Sequence, residues 1–419
     1  MNQPPHAPIG NQLDRRRFLS NVLAAAAVAT PLISALSALP AAEAEINQAA
    51  AAPQRKIKIG VVGCGGRGAW IATLFKAHGG YEIWGLADYF QETVDKCGDD
   101  LGVDKTRRFT GLSGYQKLIA CGIEAIVIID VPYFYPEQAA AAVAAGLHIY
   151  MAKPVAVDVP GCLKIGQLGA AASAKKLTFL VDYQISTAPT IIEVAKRIRA
   201  GALGQLVQVS TIGASGTFND NGFGKLEDIL AGLRWLPHTA MGAGYIGNFD
   251  IHALDAAVWT LGRRPVRAVG TSQRLRKGPH GDSHDTASLI FTFEDGLSWM
   301  HRSGHNNNED TGLNCRIFGT EGHAVIDYYG PSGIRGGAKA MRAKDDGNLY
   351  QEGAKRNIAR FHEEVLSGRC DNDTVPRSVD STLTCILGRE AGLRDRPVTM
   401  EEILAEKKTL TLDTSSLKV

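Results

Sequence analysis

The chain has 419 residues, 45% of them hydrophobic and 21% charged, which is the composition of a globular protein too long for one ordinary core. Its 45 basic and 43 acidic side chains leave a net charge of +2, so nothing argues for nucleic acid or an anionic membrane as a partner. The seven cysteines are scattered (Cys64, Cys97, Cys121, Cys162, Cys315, Cys370, Cys385), and no CxxC or Cys/His spacing suggests zinc.

The first 50 residues differ from the rest. Arg15, Arg16 and Arg17 precede Phe18 and Leu19, an alanine-rich stretch runs from about Val22 to Leu39, and Ala42-Glu43-Ala44 offers small residues for cleavage. This order fits an export signal, and Arg15-Arg16-x-Phe18-Leu19 resembles the twin-arginine type. Pro31, Pro40 and the weakly apolar alanines argue against a stable membrane anchor. Residues 1–44 are therefore read as a signal peptide, 45–55 as a linker, and the destination as the periplasm. The twin-arginine route moves folded proteins, which hints at a cofactor inserted before export.

From Lys56 the pattern becomes alternating strands and helices. Strands are expected at Lys56–Val62, Tyr81–Asp88, Ala125–Asp130 and His148–Met151, and helices at Ala69–His78, Gln91–Leu101 and Glu137–Ala145. The near-continuous apolar run at Ala125 suits a strand covered on both faces. Repeated βα units predict a doubly wound parallel sheet over 56–182.

Gly63-Cys64-Gly65-Gly66-Arg67-Gly68 follows the first strand and opens the first helix, the setting that gives G-x-G-x-x-G its meaning. Gly63 permits the tight turn, Gly65 lets the backbone approach a pyrophosphate, and Gly68 lets helix and strand pack closely. Gly66 and Arg67 belong to the same phosphate cradle at a helix N-terminus. Asp88 ends the second strand; a carboxylate there accepts from ribose hydroxyls and repels a 2′-phosphate, which favours NAD over NADP. Pro132, after the strand beginning at Ala125, is placed with the cofactor residues.

Tyr150-Met151-Ala152-Lys153-Pro154 follows, and this Lys-Pro behind a half of this length resembles the Glu-Lys-Pro motif of the glucose–fructose oxidoreductase/inositol dehydrogenase/MocA (Gfo/Idh/MocA) family. Ala152 stands where that family has Glu. The resemblance places Lys153 beside the nicotinamide and the reacting hydroxyl, with Pro154 against the cofactor and a cis bond between them. A lysine half-buried there has a depressed pKa and can shuttle a proton.

Past Val181 the second half, 183–419, is expected to be α+β. A helix is read at Thr187–Ala200. Strands are read at Leu206–Thr211, Val266–Thr271, Ala287–Phe293, Leu297–His301, Cys315–Gly319 and Ala324–Tyr328. They predict an open, mostly antiparallel sheet, which in the family also makes subunit contacts and so implies a homo-oligomer. Helices at Ile358–Ser367 and Ser381–Arg394 are expected to pack back on the first half.

Within this half, the stretch from Gly242 to Asp255 resembles the family's glycine-rich run into Asp-x-Gly-x-His-x-x-Asp. His252 and Asp255 match, but Asn248 stands for the catalytic aspartate and Asp250 for the glycine. An amide cannot be a general base. The proton work is therefore assigned to Lys153 and His252, with Asp250 close by, and Asp255 is expected to orient His252 from the same helix face. Gln184, Arg234, Trp235, Asn248 and His252 are the candidates for the substrate side, because sugars are held by planar hydrogen-bonding groups and an aromatic face. His280, His284, His301 and His305 lack a metal-ligand pattern.

The resemblance implies hydride transfer between a sugar or sugar-like alcohol and NAD. Export adds that the NAD is tightly held and regenerated within the cycle. Two other readings stay open: an NAD-dependent glycosidase or lyase that oxidises a ring hydroxyl transiently, and a non-catalytic NAD- or sugar-binding protein.

Overall fold

The computed structural model describes residues 55–216, 225–276, 281–306, 311–342 and 346–419. The export signal and all of the linker except Arg55 lie outside them. Among the described residues no helix is long and apolar enough to cross a membrane.

The first half is a six-stranded parallel sheet of β1 (Ile57–Val62), β2 (Tyr81–Asp88), β3 (Arg108–Thr110), β4 (Ala125–Ile128), β5 (His148–Ala152) and β6 (Phe179–Asp182). Its spatial order is β3-β2-β1-β4-β5-β6. Helices α1 (Gly66–His78), α2 (Gln91–Leu101), α3 (Gly114–Ala120), α4 (Tyr135–Ala144) and α5 (Val159–Ala174) make the crossovers. All four residues of β4 are buried, as a strand sandwiched between helices requires. The strand order reverses between β1 and β4, so a crevice opens at their carboxyl ends.

The second half, beginning with α6 (Pro189–Arg199), builds an eight-stranded open sheet. Its strands are β7 (Leu206–Ala214), β8 (Arg267–Gln273), β9 (Thr286–Thr292), β10 (Ser298–Gly304), β11 (Gly312–Gly319), β12 (Gly322–Asp327), β13 (Gly333–Arg335) and β14 (Val398–Thr399), in the order β13-β12-β11-β7-β10-β9-β8-β14. The neighbours run antiparallel except β7 and β10, which are parallel. Helices α7 (Ile251–Leu261) and α9 (Thr374–Arg394) cover one face, while Val207, Ile290 and Met300 stand exposed on strands of the same sheet.

The halves are interleaved. Helix α8 (Leu349–Ser367) lays Ala354, Ile358 and Phe361 into the core around Phe75 and Tyr150. Tyr81 Oη donates to the Ile358 carbonyl at 2.7 Å. Strand β6 is the sheet edge, and residues just before and within α9 satisfy it: Asn372 Oδ1 accepts from Phe179 N at 2.6 Å and Thr374 Oγ1 from Val181 N at 2.9 Å. Capping the edge this way removes a strand that would otherwise offer free backbone groups.

Candidate active site

The glycine turn divides its labour. Gly63 has φ +85°, and a Cβ on it would lie 2.4 Å from the Ile129 carbonyl oxygen. A Cβ on Gly68 would lie 1.7 Å from the Gly63 carbonyl oxygen. These two glycines close the turn. Gly65 and Gly66 have no atom within 4 Å of an added Cβ, so they leave open space at the N-terminus of α1. Unsatisfied N–H groups and the positive end of the helix dipole meet there, which suits a pyrophosphate.

A cleft runs from this turn past Asp88 and Asp130 to Tyr89, Phe90 and Trp235. The Asp88 carboxylate accepts from Cys64 N at 2.7 Å and from Phe90 N at 2.9 Å. Burial pushes its carboxyl up, and those two N–H groups partly offset this. Burial likewise lifts Asp130 to about 6, against the pull of Gln138, whose Nε2 donates to it at 2.6 Å. An open phosphate cradle followed by an acid at the end of β2 fits a dinucleotide. Pro132 is buried in the short turn after β4; Asp130, Val131 and Phe134 line the cleft in its place.

The inner end of the site is a knot of charge. Arg67, from the glycine turn, pairs with the fully buried Asp182 at 2.6 Å. The other Asp182 oxygen accepts from Asn357 Nδ2 at 2.8 Å. Lys153 follows β5 through a cis bond to Pro154. Its Nζ donates to the backbone carbonyl of Asn248, which sits in a five-residue π turn, Ile246–Asp250, at the head of α7. Such turns cluster at functional sites. Burial, then repulsion from Arg67, lowers Lys153 from 10.5 to about 7, with Asp182 pulling the other way.

His252, on α7, is 9% exposed. Burial, then the charges of Lys153 and Arg67, hold its imidazole well below the usual range, so the ring is neutral. Its ring lies 6.3 Å from that of Tyr183 and 5.1 Å from that of Tyr328, centre to centre. Tyr328 Oη donates to Gln184 Oε1 at 3.1 Å. His252 Nδ1, Tyr183 Oη and Gln184 Nε2 are buried without a hydrogen-bond partner among the described residues. Orphans of this kind are costly unless a ligand satisfies them.

Asp250 is not part of this group. It is fully buried against the second sheet, where His301 Nε2 lies 3.1 Å from one of its oxygens and His305 Nε2 lies 2.9 Å from the other. Burial alone would raise it; the two imidazoles outweigh that and hold it at about 2. A carboxylate with both oxygens so committed is structural, which corrects its expected place in proton transfer. His301 continues the network to Thr211 Oγ1 at 2.9 Å, which accepts from Trp299 Nε1 at 2.7 Å. Asp255 does not orient His252: it accepts from Arg377 Nε and Ser381 Oγ, both at 2.8 Å. Arg377 in turn lies over the Tyr183 ring, 4.8 Å from its centre.

Two substrate-side expectations also move. Trp235 lines the cofactor cleft, and Arg234 Nη1 donates to the Asp228 carbonyl at 3.1 Å. Gln184 does reach the inner cluster, and Asn248 offers its carbonyl rather than its amide, whose Nδ2 donates to the Gly242 carbonyl at 3.2 Å. His280 lies outside the described residues, and His284 bonds to Ser272 Oγ at 2.7 Å. The sequence reading missed Tyr328, Asn357 and Asp130. Asp130 carried a usable signal, an acid just past a fully apolar strand; the other two sit in no motif.

Comparison with known proteins places this geometry. Residues 57–183 match the model of an oxidoreductase family with an NAD-binding Rossmann fold, and residues 191–325 match the Gfo/Idh/MocA C-terminal domain. Inositol 2-dehydrogenase 2 of Saccharopolyspora erythraea is 23% identical over 58% of this chain and 64% of its own. Levoglucosan dehydrogenase of Pseudarthrobacter phenanthrenivorans is 24% identical over 57% of this chain and 65% of its own. The chain thus spans less than two-thirds of the length of these curated relatives. Among solved structures, GenD2 from gentamicin A biosynthesis, in complex with NAD, superposes with TM-score 0.67 at 19% identity, covering 87% of this chain and 99% of that one. The aldose–aldose oxidoreductase of Caulobacter crescentus, complexed with glycerol, gives TM-score 0.65 at 20% identity, covering 82% and 100%. These two share the fold.

Proposed function

Since this chain belongs to the Gfo/Idh/MocA family of oxidoreductases, with both of that family's domains in order, we propose that it transfers a hydride between a sugar or sugar-like alcohol and a tightly held NAD. The observation that carries this is the meeting of three cationic or titratable groups from separate parts of the chain. Arg67 comes from the glycine turn, Lys153 from the end of β5, and His252 from α7; Lys153 feels the charge of Arg67, and His252 feels the charges of Lys153 and Arg67.

Bound in the cleft, NAD would supply the hydride acceptor. Gly65 and Gly66 would hold its pyrophosphate, and Asp88 its ribose, the last favouring NAD over NADP. Lys153, lowered to about 7, takes the proton from the reacting hydroxyl in its neutral form and returns it in the reverse direction. His252 stays neutral and can accept or donate one hydrogen bond to the same hydroxyl. Tyr183 Oη and Gln184 Nε2, otherwise orphaned, are placed to satisfy further hydroxyls and so orient the ring. Burial and then Arg67 hold Lys153 low, while Asp182, paired with Arg67, pulls the other way. The export signal read at 1–44 supports a periplasmic protein whose NAD is loaded before transport, and the open face of the second sheet suits pairing with another copy.

The test begins with protein purified from the cytoplasm, denatured, and assayed for NAD in the supernatant. One NAD per chain is expected. Sugars, polyols and glycosides are then offered and bound-NADH absorbance followed. A keto-sugar with NADH signals net oxidation; free aglycone without NADH signals the redox-neutral glycosidase. A protein that neither carries nor binds NAD overturns both.

A further inference from the structure

The glycine turn and Asp88 account for the pyrophosphate and ribose, and the inner cluster for the reacting end. The far end of the cleft has its own construction. Tyr89 and Phe90, after β2, and Val131, after β4, form one side. Leu230, Leu233 and Trp235 form the other, and they come from the second half of the chain. Val131, Leu230, Met241 and Leu417 are buried together, with Tyr89, Phe90 and Trp235 packed against them.

What holds this cover down is the segment from Lys408 to Val419. Leu410 N donates to Asp158 Oδ2 at 2.9 Å, and Leu412 N to Tyr133 Oη at 3.3 Å. Leu112 N donates to the Lys418 carbonyl at 2.9 Å, and Lys418 N to Tyr89 Oη at 3.0 Å. The segment therefore crosses the loops after β2, β3 and β4. Leu417, 5% exposed, joins them to Leu230. The walls it fastens are aromatic and aliphatic, which suits a flat purine base and not a charged ligand.

Resting on the NAD reading above, we propose that residues 226–236, pinned by 408–419, form the adenine subsite and a cover over it, so that cofactor retention is set by this strap rather than by the glycine turn. Release of the dinucleotide then requires Leu417 to leave its pocket and the bonds to Tyr89 and Leu112 to break. An exported enzyme that cannot replace lost NAD has use for such a catch.

Two variants test it: deletion of residues 409–419, and the milder Leu417→Ala. Bound NAD is measured after exhaustive dialysis, and its dissociation rate after dilution, with circular-dichroism melting to confirm folding. Wild type keeps its NAD. The loss of one buried leucine contact speeds dissociation roughly tenfold or more, and the deletion further. Folded variants that keep NAD as long as wild type overturn the cover and leave the functional reading standing. A wild type that neither holds nor binds added NAD overturns that reading, and the cover with it.

Discussion

Lys153→Met isolates the electrostatic state of the reacting end without asking for turnover. Burial and Arg67 lower Lys153 from 10.5 to about 7 in the folded protein. Between those values the unfolded chain binds a proton that the native protein does not, so stability rises with pH across the window. Below about pH 7 the penalty for the buried amine is fully present, and above about pH 10.5 it is gone. The whole shift corresponds to about 5 kcal/mol; because Lys153 is only partly buried, the penalty felt is roughly 2–4 kcal/mol. Methionine keeps the length and removes the charge. The variant should therefore gain roughly 2–4 kcal/mol over wild type at about pH 6, near 3–5 °C in Tm for a chain this long, and the gain should vanish by about pH 10. Loss of the bond to the Asn248 carbonyl adds an offset that does not change with pH, so the reading is the difference between the two conditions. Chemical denaturation of NAD-free proteins at both pH values measures it. A gap of equal size at both would mean that Lys153 titrates normally and is not the proton carrier.

Other expectations follow from single contacts. Gly65→Ala should fold normally, because its Cβ meets open space, yet bind NAD about tenfold more weakly; Gly68→Ala should fold poorly, because its Cβ would strike the Gly63 carbonyl. Calorimetry and melting on the pair separate cradle from turn, and equal behaviour would refute the division. Asp250→Asn should cost about 3–5 kcal/mol in urea unfolding at neutral pH, since it strands two buried imidazoles. With its folded value at about 2, the stability Asp250 contributes is present above about pH 4 and lost as the pH falls towards 2; a variant as stable as wild type at pH 7 would contradict this. Asp88→Ala should narrow the preference for NAD over NADP about tenfold or more, read as the ratio of two dissociation constants.

Much of the architecture was legible because it obeys local rules. Strand β2 and helix α2 fall where the sequence pattern put them, Tyr81–Asp88 and Gln91–Leu101, since each has plain apolar periodicity and a glycine or acid at its end. Helix α5 went unread because Gly161, Gly166, Gly169 and its alanines blur the apolar stripe, although Asp158 caps it by accepting from Gly161 N. Helix α8 begins nine residues before the expected Ile358, since its first turns spread their apolar groups between Tyr350, stacked on Trp70, and the Rossmann core. At the site, the glycines could be found from their spacing, and Lys153 and His252 from their resemblance to the family's motifs. Asp250 could not be placed that way. Its histidine partners lie 51 and 55 positions along the chain on the second sheet, and only the register of β7 against β10 brings that wall together. Trp235 misled for a related reason: an aromatic beside Arg234 suits a sugar, but long-range packing turned it to the cofactor cleft.

The same ledger of charges bears on what the site can accept. Above about pH 7 Lys153 is neutral. His252 is neutral throughout the working range. Arg67 and Asp182 form a closed pair, and Asp250 and Asp255 are spent on His301, His305 and Arg377. Above about pH 7 the reacting end therefore presents no uncompensated charge among the described residues, which leave an imidazole nitrogen, a phenol and a carboxamide amine unpaired. A carboxylate or phosphate placed there would lose its hydration with no free cation among the described residues to replace it, and a cationic substrate would meet Arg67 and a protonatable lysine. A neutral polyol loses only hydroxyl hydration, and three waiting partners restore it. On the proposed reading, discrimination would rest on the number and direction of hydroxyls: an analogue lacking one would leave a buried polar group unpaired, and that penalty would separate one sugar from its neighbours.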